Sequence, residues 1–325
     1  MSTRSRSVTA CAVLGVVTVL AVALRLAIGE SGFALPTRAD VWSIRASRAL
    51  TGVGVGSALG VAGMLLQAML RNPLASPFLL GLTSGAGLGV VVATYAAFLA
   101  TGSVALAGPP IGAVLVGSFG ALGLVYALSQ RRGVPEPTHL VLVGVIVSVV
   151  CAALTTFIQQ LMPDRGMAVF TRWMMGAISD ETYGAQLWLV CALIGACVCW
   201  AVTLGDQLDA AALSDDEARS VGVALGRLRA LCVLIAGLLT AGSVLLAGPV
   251  GFVGLIAPHL ARRLAGPGHR WGIVASAMCG ASLVVLADAG VAFIRTPAGR
   301  MPIGVLTSMV GGVLFLWLLR KERAL

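Results

Sequence analysis

The chain is 325 residues long, 58% of them apolar and only 11% charged. Soluble domains run about 45–50% apolar and about 25% charged. These proportions, with a mean hydropathy of +0.98, exclude an ordinary cytosolic enzyme and a disordered chain alike. The net charge of +9 is reached without a run of five like charges, which reads as membrane topology rather than a nucleic-acid patch.

A spanning helix needs about 20 apolar residues, so this length allows roughly ten. The lead MSTRSRSVTACAVLGVVTVLAVAL joins basic residues to an apolar run. The length of that run and the apolar remainder make it a retained first span rather than a cleaved signal. Charge-free stretches follow at 49–70, 72–130, 140–163, 182–205, 230–261, 271–287 and 301–319. The stretch 72–130 is too long for one span and breaks at TGSVALAGPP, residues 101–110, where glycine and paired proline make a turn. The stretch 230–261 breaks at Gly248-Pro249 and Gly251. It leaves a short helix from Phe252 to about Arg262, roughly 17 Å long at 1.5 Å per residue. That piece cannot cross about 30 Å of hydrocarbon and is expected inside the protein. The expected fold is all-α, a polytopic membrane protein of about ten transmembrane helices including a half-helix, in one domain over 1–325.

With the N-terminus inside, Arg25, Arg38, Arg45, Arg48, Arg165, Arg172, Arg295 and Arg300 fall outside and the other fourteen Lys and Arg inside. This bias puts both termini in the cytoplasm. Small residues crowd the second span (Gly52, Gly54, Gly56, Gly60, Gly63) and let helices approach closely. A small-residue helix followed by a proline break and an arginine occurs at 56–81 and again at 241–266, as in transporters built from repeats.

The sequence has no GxxxxGK[ST], HExxH or GxSxG motif and no CxxC pair, so it offers no catalytic or metal-ligating residues. Its seven cysteines lie in apolar stretches and read as buried packing. Asp288 is the single acid well inside a span. One such group is thin support for an ion-gradient-driven secondary transporter, the rival reading, so energy is expected from another subunit. The inner segment 206–229 carries Asp206, Asp209, Asp215, Asp216 and Glu217. Ser214 followed by three acids suits a helix N-terminus, and Gly222 can close the helix. The segment is either a solvated loop or a short helix that docks on a cytoplasmic motor.

At this point the residues resemble a family, the membrane-spanning permease subunit of ABC importers for iron–siderophore complexes, haem and cobalamin. The likeness rests on IRASRALTGVGVGSALGVAGMLLQAMLRNPLASPFLLGLTSGAG, LSDDEARSVGV, GPVGFVGLIAPHLARRLAGPGHR, LADAG and MPIGVLTSMVGG, in that order over nearly the whole chain. It implies a second permease subunit, two cytoplasmic ATPases that hold ATP and magnesium, and an extracytoplasmic binding protein that delivers an iron chelate. No cofactor is expected on this chain, and no nucleic acid.

The resemblance also implies roles for particular residues. Asp215, Asp216, Glu217, Ala218, Arg219 and Gly222 meet the ATPase, Ala218 and Gly222 leaving room for close seating. Asn72, Pro73 and Leu74, with Pro137 and Thr138, form a cytoplasmic gate; Asn72 also fits a helix cap, and neighbouring His139 an interfacial polar residue. Arg45 and Arg48, on one helical face, receive acids of the binding protein or anchor headgroups. Gly56, Gly60, Gln67, Pro258 and His259 serve helix packing and the translocation path, His259 as a structural helix-end histidine rather than a haem ligand. Trp173, Met174 and Met175 belong to an interfacial helix. The chain departs from the family at Ala292, where an arginine is usual, at Arg300, where a glutamate is usual, and at Val313, where a proline is usual.

Overall fold

The structure, a computed structural model, describes residues 3–29, 32–33, 38–102, 110–131, 133–162, 164–180, 184–296 and 299–322. Helices α1 (Thr3–Ala27), α2 (Ala39–Met69), α3 (Leu82–Thr101), α4 (Ile111–Leu128) and α5 (Pro137–Gln159) are long and apolar enough to span. A 3-10 turn, Pro77–Leu80, separates α2 from α3. Then come α6 (Asp164–Met174), spanning α7 (Gly184–Thr203), and two short helices, α8 (Gly205–Ala211) and α9 (Asp215–Ser220). Spanning α10 (Leu225–Ala247) leads to α11 (Val253–Ala265), spanning α12 (His269–Val291) and α13 (Ile303–Glu322). Among the described residues eight helices qualify as spans; α11 is the half-helix and α13 completes the ten. Three antiparallel pairs of two-residue strands cross Ile28–Gly29 with Gly32–Phe33, Gln130–Arg131 with Val134–Pro135, and Arg295–Thr296 with Gly299–Arg300.

The breaks fall where glycine and proline were expected to make them. Helix α10 stops at Gly248 (φ +66), and Phe252 (φ +64) caps α11. Helix α3 ends at Gly102 (φ +68) and α4 begins after Pro110; residues 103–109 of that expected turn lie outside the described residues. The repeated design is only partly kept. After α2 the break leads to one 3-10 turn, after α10 to the thirteen-residue α11.

Hydropathy alone does not distinguish central helices from peripheral ones; side-chain size does. Helix α2 is buried over 83% of its apolar window, whereas α5, more apolar, is buried over 22%. The reason is glycine. A Cβ on Gly56 would stand 2.2 Å from the Gly280 carbonyl oxygen, and one on Gly60 2.3 Å from that of Ser276. Helix α2 therefore lies backbone to backbone on α12, and the Ser276 hydroxyl donates to the Gly60 carbonyl at 2.7 Å. Helices α1 and α5 instead present Val16, Val19, Leu20, Leu142, Ile146 and Val149 outward. Two cysteines of α7 depart from the expected burial: Cys199 is exposed and Cys191 half-buried.

Candidate coupling, gate and outer sites

Asp215 to Ser220 form a helix because each end is closed locally. The Ser214 hydroxyl accepts from the Glu217 amide at 3.2 Å, and the Glu217 carboxylate accepts from the Ser214 amide at 2.9 Å. This reciprocal capping box holds the Glu217 carboxyl below its usual range, chiefly through the Ser214 hydrogen bonds. At the other end Gly222 (φ +86) lets the Val223 amide donate back to the Ala218 carbonyl at 3.0 Å.

The six residues expected to meet the ATPase divide. Asp216, Arg219 and Gly222 are exposed, Asp216 and Arg219 pairing at 3.3 Å, while exposed Glu217 is engaged in the cap. Asp215 turns inward between two guanidiniums, Arg71 Nη2 at 2.7 Å and Arg229 Nη2 at 2.8 Å. Partial burial pushes its carboxyl up, but the hydrogen bonds and charges of Arg229 and then Arg71 leave it lowered overall. Ala218 is fully buried within the chain. That corrects one assignment: Ala218 seats α9 on its own protein. Asp215, still 34% exposed, ties α9 there as well. Nothing stands within 4 Å of a Cβ placed on Gly222, so the chain needs its backbone freedom and not its small size. Exposed Leu213 and Val221 flank α9. Sequence reasoning passed over them because two apolar residues among polar ones carry no periodic signal.

At the C-terminal end of α2 the Asn72 carboxamide oxygen accepts from the Leu74 amide at 2.9 Å. It is thus a local turn former, close to the alternative cap role. Buried Gln67 holds this turn in place. Its Nε2 donates to the carbonyls of Ala75 (3.3 Å) and Gly254 (3.4 Å), and its Oε1 accepts from Arg262. A cavity of about 280 Å³ lies beside Asn72 and Pro73, lined also by Gln67, Arg71, Arg262 and His269. Pro137 opens α5 at its first turn, with Thr138 and His139 exposed. Further along, α5 packs on the 3-10 turn that follows Asn72–Leu74: a Cβ on Gly144 would stand 1.9 Å from the Leu79 carbonyl oxygen. Pro258 and His259 are buried within α11. His259 sits mid-helix rather than at a helix end, its ring edge-on to Phe315 at 6.1 Å.

Arg48 marks the opposite end of α2, about 30 Å away at 1.5 Å per residue. It is not a surface docking residue. Its side chain is 5% exposed and pairs with Asp288 of α12, with Asp180 at 2.7 Å and with the Ile178 carbonyl at 2.8 Å. Arg25 at the end of α1 pairs with the same Asp288. The acid inside a span is thus an ion-pair partner clamped by two arginines, not a carboxylate open to a carried ion. Arg45 is half-buried and donates to the Leu26 carbonyl at 2.8 Å; Arg300 meets Asp180 at 2.8 Å. Together Arg25, Arg45, Arg48, Arg300 and Asp180 line a cavity of about 380 Å³. Trp173 and Met174 lie in α6, and Met175 just follows it.

The sequence model described as the FecCD transport family matches residues 7–321. The chain belongs to the FecCD transport family. It is 36% identical to the Klebsiella pneumoniae vitamin B12 import system permease protein BtuC over 87% of this chain and 83% of that one. It is 34% identical to the Yersinia pestis hemin transport system permease protein HmuU over 87% and 84%. A solved inward-facing structure, described as a metal-chelate type ABC transporter, superposes with a TM-score of 0.86 at 27% identity, covering 97% of this chain and 99% of that one.

The chain is therefore a multi-pass ABC transporter permease and not an enzyme; permeases of this family work with separate ATPase subunits and a second permease subunit. Two of the three expected departures from the family pattern, Ala292 and Arg300, lie at the Arg48 end. Ala292 and Arg300 line the cavity there, Arg300 paired with Asp180. The arginine expected four residues after Asp288 is absent, and Arg25 and Arg48 supply the positive charge beside that carboxylate. Val313 is exposed on α13.

Proposed function

We propose that this FecCD-family chain carries a ferric siderophore inward, with haem and cobalamin next, as half of the permease of a binding-protein-dependent importer in the bacterial inner membrane. Both termini then lie in the cytoplasm, with α9 on that side facing two ATPase subunits that hold ATP and magnesium. The observation that carries the coupling role is α9 itself: a short, doubly capped helix with Asp216 and Arg219 exposed and Leu213 and Val221 uncovered beside it. Exposed apolar side chains rimmed by charge suit a protein interface. At the opposite end, Arg45 and Arg300 line a cavity suited to carboxylates of a binding protein. A metal-chelate cargo agrees with the names of the relatives, which specify vitamin B12, hemin and a metal chelate.

Inside-out vesicles would test transport poorly, because the cargo arrives on the binding-protein side. Proteoliposomes with ATP sealed inside, supplied externally with binding protein and ferric siderophore, haemin or cyanocobalamin, give the answer. ATP-dependent uptake of the ferric siderophore is the expected result. Uptake of haemin or cyanocobalamin alone overturns the cargo assignment, and uptake driven by an ion gradient without ATP overturns the importer class.

A further inference from the structure

Arg71 follows the C-cap of α2 and has φ +47, one of two non-glycine residues with positive φ among the described residues. An L side chain adopts that conformation at an energetic cost, so something must hold it. The side chain does so. Its Nε and Nη2 donate to the Ala211 carbonyl at 3.2 and 2.8 Å, and Nη2 also donates to Asp215 Oδ1 at 2.7 Å. Ala211 ends α8, where helix carbonyls lack partners within the helix, and Asp215 begins α9. The second oxygen of Asp215 accepts from Arg229 in the first turns of α10. Through Asp215 and the Ala211 carbonyl, the end of α2 is therefore joined to α8, α9 and α10, which lie 140 residues or more further along the chain.

The backbone side of Arg71 leads directly to the gate turn. The next residue, Asn72, accepts from the Leu74 amide, and its own amide donates to the Gln67 carbonyl at 3.2 Å. We propose that Arg71 is the positioning residue that transmits movement of α9 to the gate turn at Asn72–Leu74. The inference rests on the coupling role proposed for α9. A displacement of α9 pulls on Asp215 and hence on a side chain whose own backbone adjoins the gate, without passing through the packed length of α2. The pair is suited to a moving part because it is accessible: Arg71 is 42% and Asp215 34% exposed. Water there can replace a broken contact, which a buried ion pair does not allow.

The test uses the complete importer with its ATPases in a Cys199→Ser background, with ATP and vanadate as the probe. One spin-label pair on Leu74→Cys and Thr138→Cys reports the gate, and a second on Ser220→Cys and exposed Val8→Cys of α1 reports α9. In the otherwise unmodified complex both distances are expected to change with nucleotide. In Arg71→Ala the ATP turnover and the α9 change should persist, while the gate change falls by about threefold or more. Arg71→Lys, which keeps the charge but not the forked contact, should give an intermediate response. Arg71→Gly separates strain from contact, since glycine relieves the positive φ and removes the side chain; it should behave as alanine does. A gate response in Arg71→Ala or Arg71→Gly equal to the unmodified one overturns the role of Arg71. An α9 distance that ignores nucleotide in the unmodified complex overturns instead the coupling role on which it rests.

Discussion

Asp288 shows how much a single side chain is asked to balance. It is 1% exposed and carries Arg25 and Arg48, themselves nearly buried, from two other helices. Removing one member of such a cluster leaves charges stranded without water, a cost of about 3–5 kcal/mol. Asp288→Ala is expected to abolish stable insertion or to lower thermal stability in detergent by that amount. Converting Arg25, Arg48 and Asp288 together to methionine, methionine and leucine should cost far less, because no charge is left unpaired. The same reasoning divides the two arginines first considered for docking. Arg48→Glu should fail in folding, whereas the pair Arg45→Glu and Arg300→Glu should fold and bind the binding protein more weakly, chiefly through a slower on-rate. Titration calorimetry with stopped-flow kinetics on the purified complex measures both; unchanged binding in the double variant would count against a docking role for the cavity.

Among the elements, α2 and α9 are limited in opposite ways. Helix α2 is constrained by space. A Cβ at residue 60 already falls 2.3 Å from the Ser276 carbonyl oxygen, a backbone atom that cannot swing aside. Gly60→Ala is therefore expected to cost about 1–3 kcal/mol, and Gly60→Leu to prevent assembly, read as loss of the monodisperse peak on size exclusion. Helix α9 is constrained by its seat and its caps. Ala218→Trp should unseat it from its own chain, since Ala218 is fully buried, and should release its amides to hydrogen exchange even without an ATPase. The Cβ added by Gly222→Val meets no atom within 4 Å, while its φ of +86 costs about 1–2 kcal/mol. Val221→Asp leaves the helix intact and is expected to reduce co-purification of the ATPase.

Asp215 connects α9 to the whole molecule and carries a pH dependence with a defined sign. Its folded carboxyl is lowered by Arg229 and Arg71, so the stabilisation is complete above the ordinary carboxylate pKa. It is lost as pH falls through the lowered folded value. The link to Arg71 should thus be intact throughout the neutral range and weaken only in acid, observed as faster amide exchange in α9 below about pH 4. A gain in α9 protection on acidification would contradict the pairing. At this scale the two ends of the bundle are built differently. Buried arginines lock the α1–α2–α12 end, while half-exposed pairs join α2, α9 and α10 at the other. The end proposed to receive the ATPases is the one whose contacts water can exchange.

Much of this was legible in contiguous residues. The ten helical segments follow from apolar run length, the breaks from Gly248-Pro249 and from Gly102 and Pro110, which bound α3 and α4, and α9 from Ser214 and Glu217 three residues apart. Each is a local rule, satisfied within one turn or one span, and the ordered motifs that mark the family are local in the same sense. What the sequence left open was the partner of each charge. Arg48 and Asp215 read as surface groups because charged residues at helix ends usually are. The fold paired both with distant parts of the chain, Arg48 with buried Asp288 at a separation of 240 residues and Asp215 with half-exposed Arg71 at 144. Ala218 likewise carries no mark that separates a residue seated on its own chain from one seated on a partner. Those outcomes depend on which helix faces which, and that was decided by the close approach of glycine backbones along α2, a property of the packed molecule rather than of any segment within it.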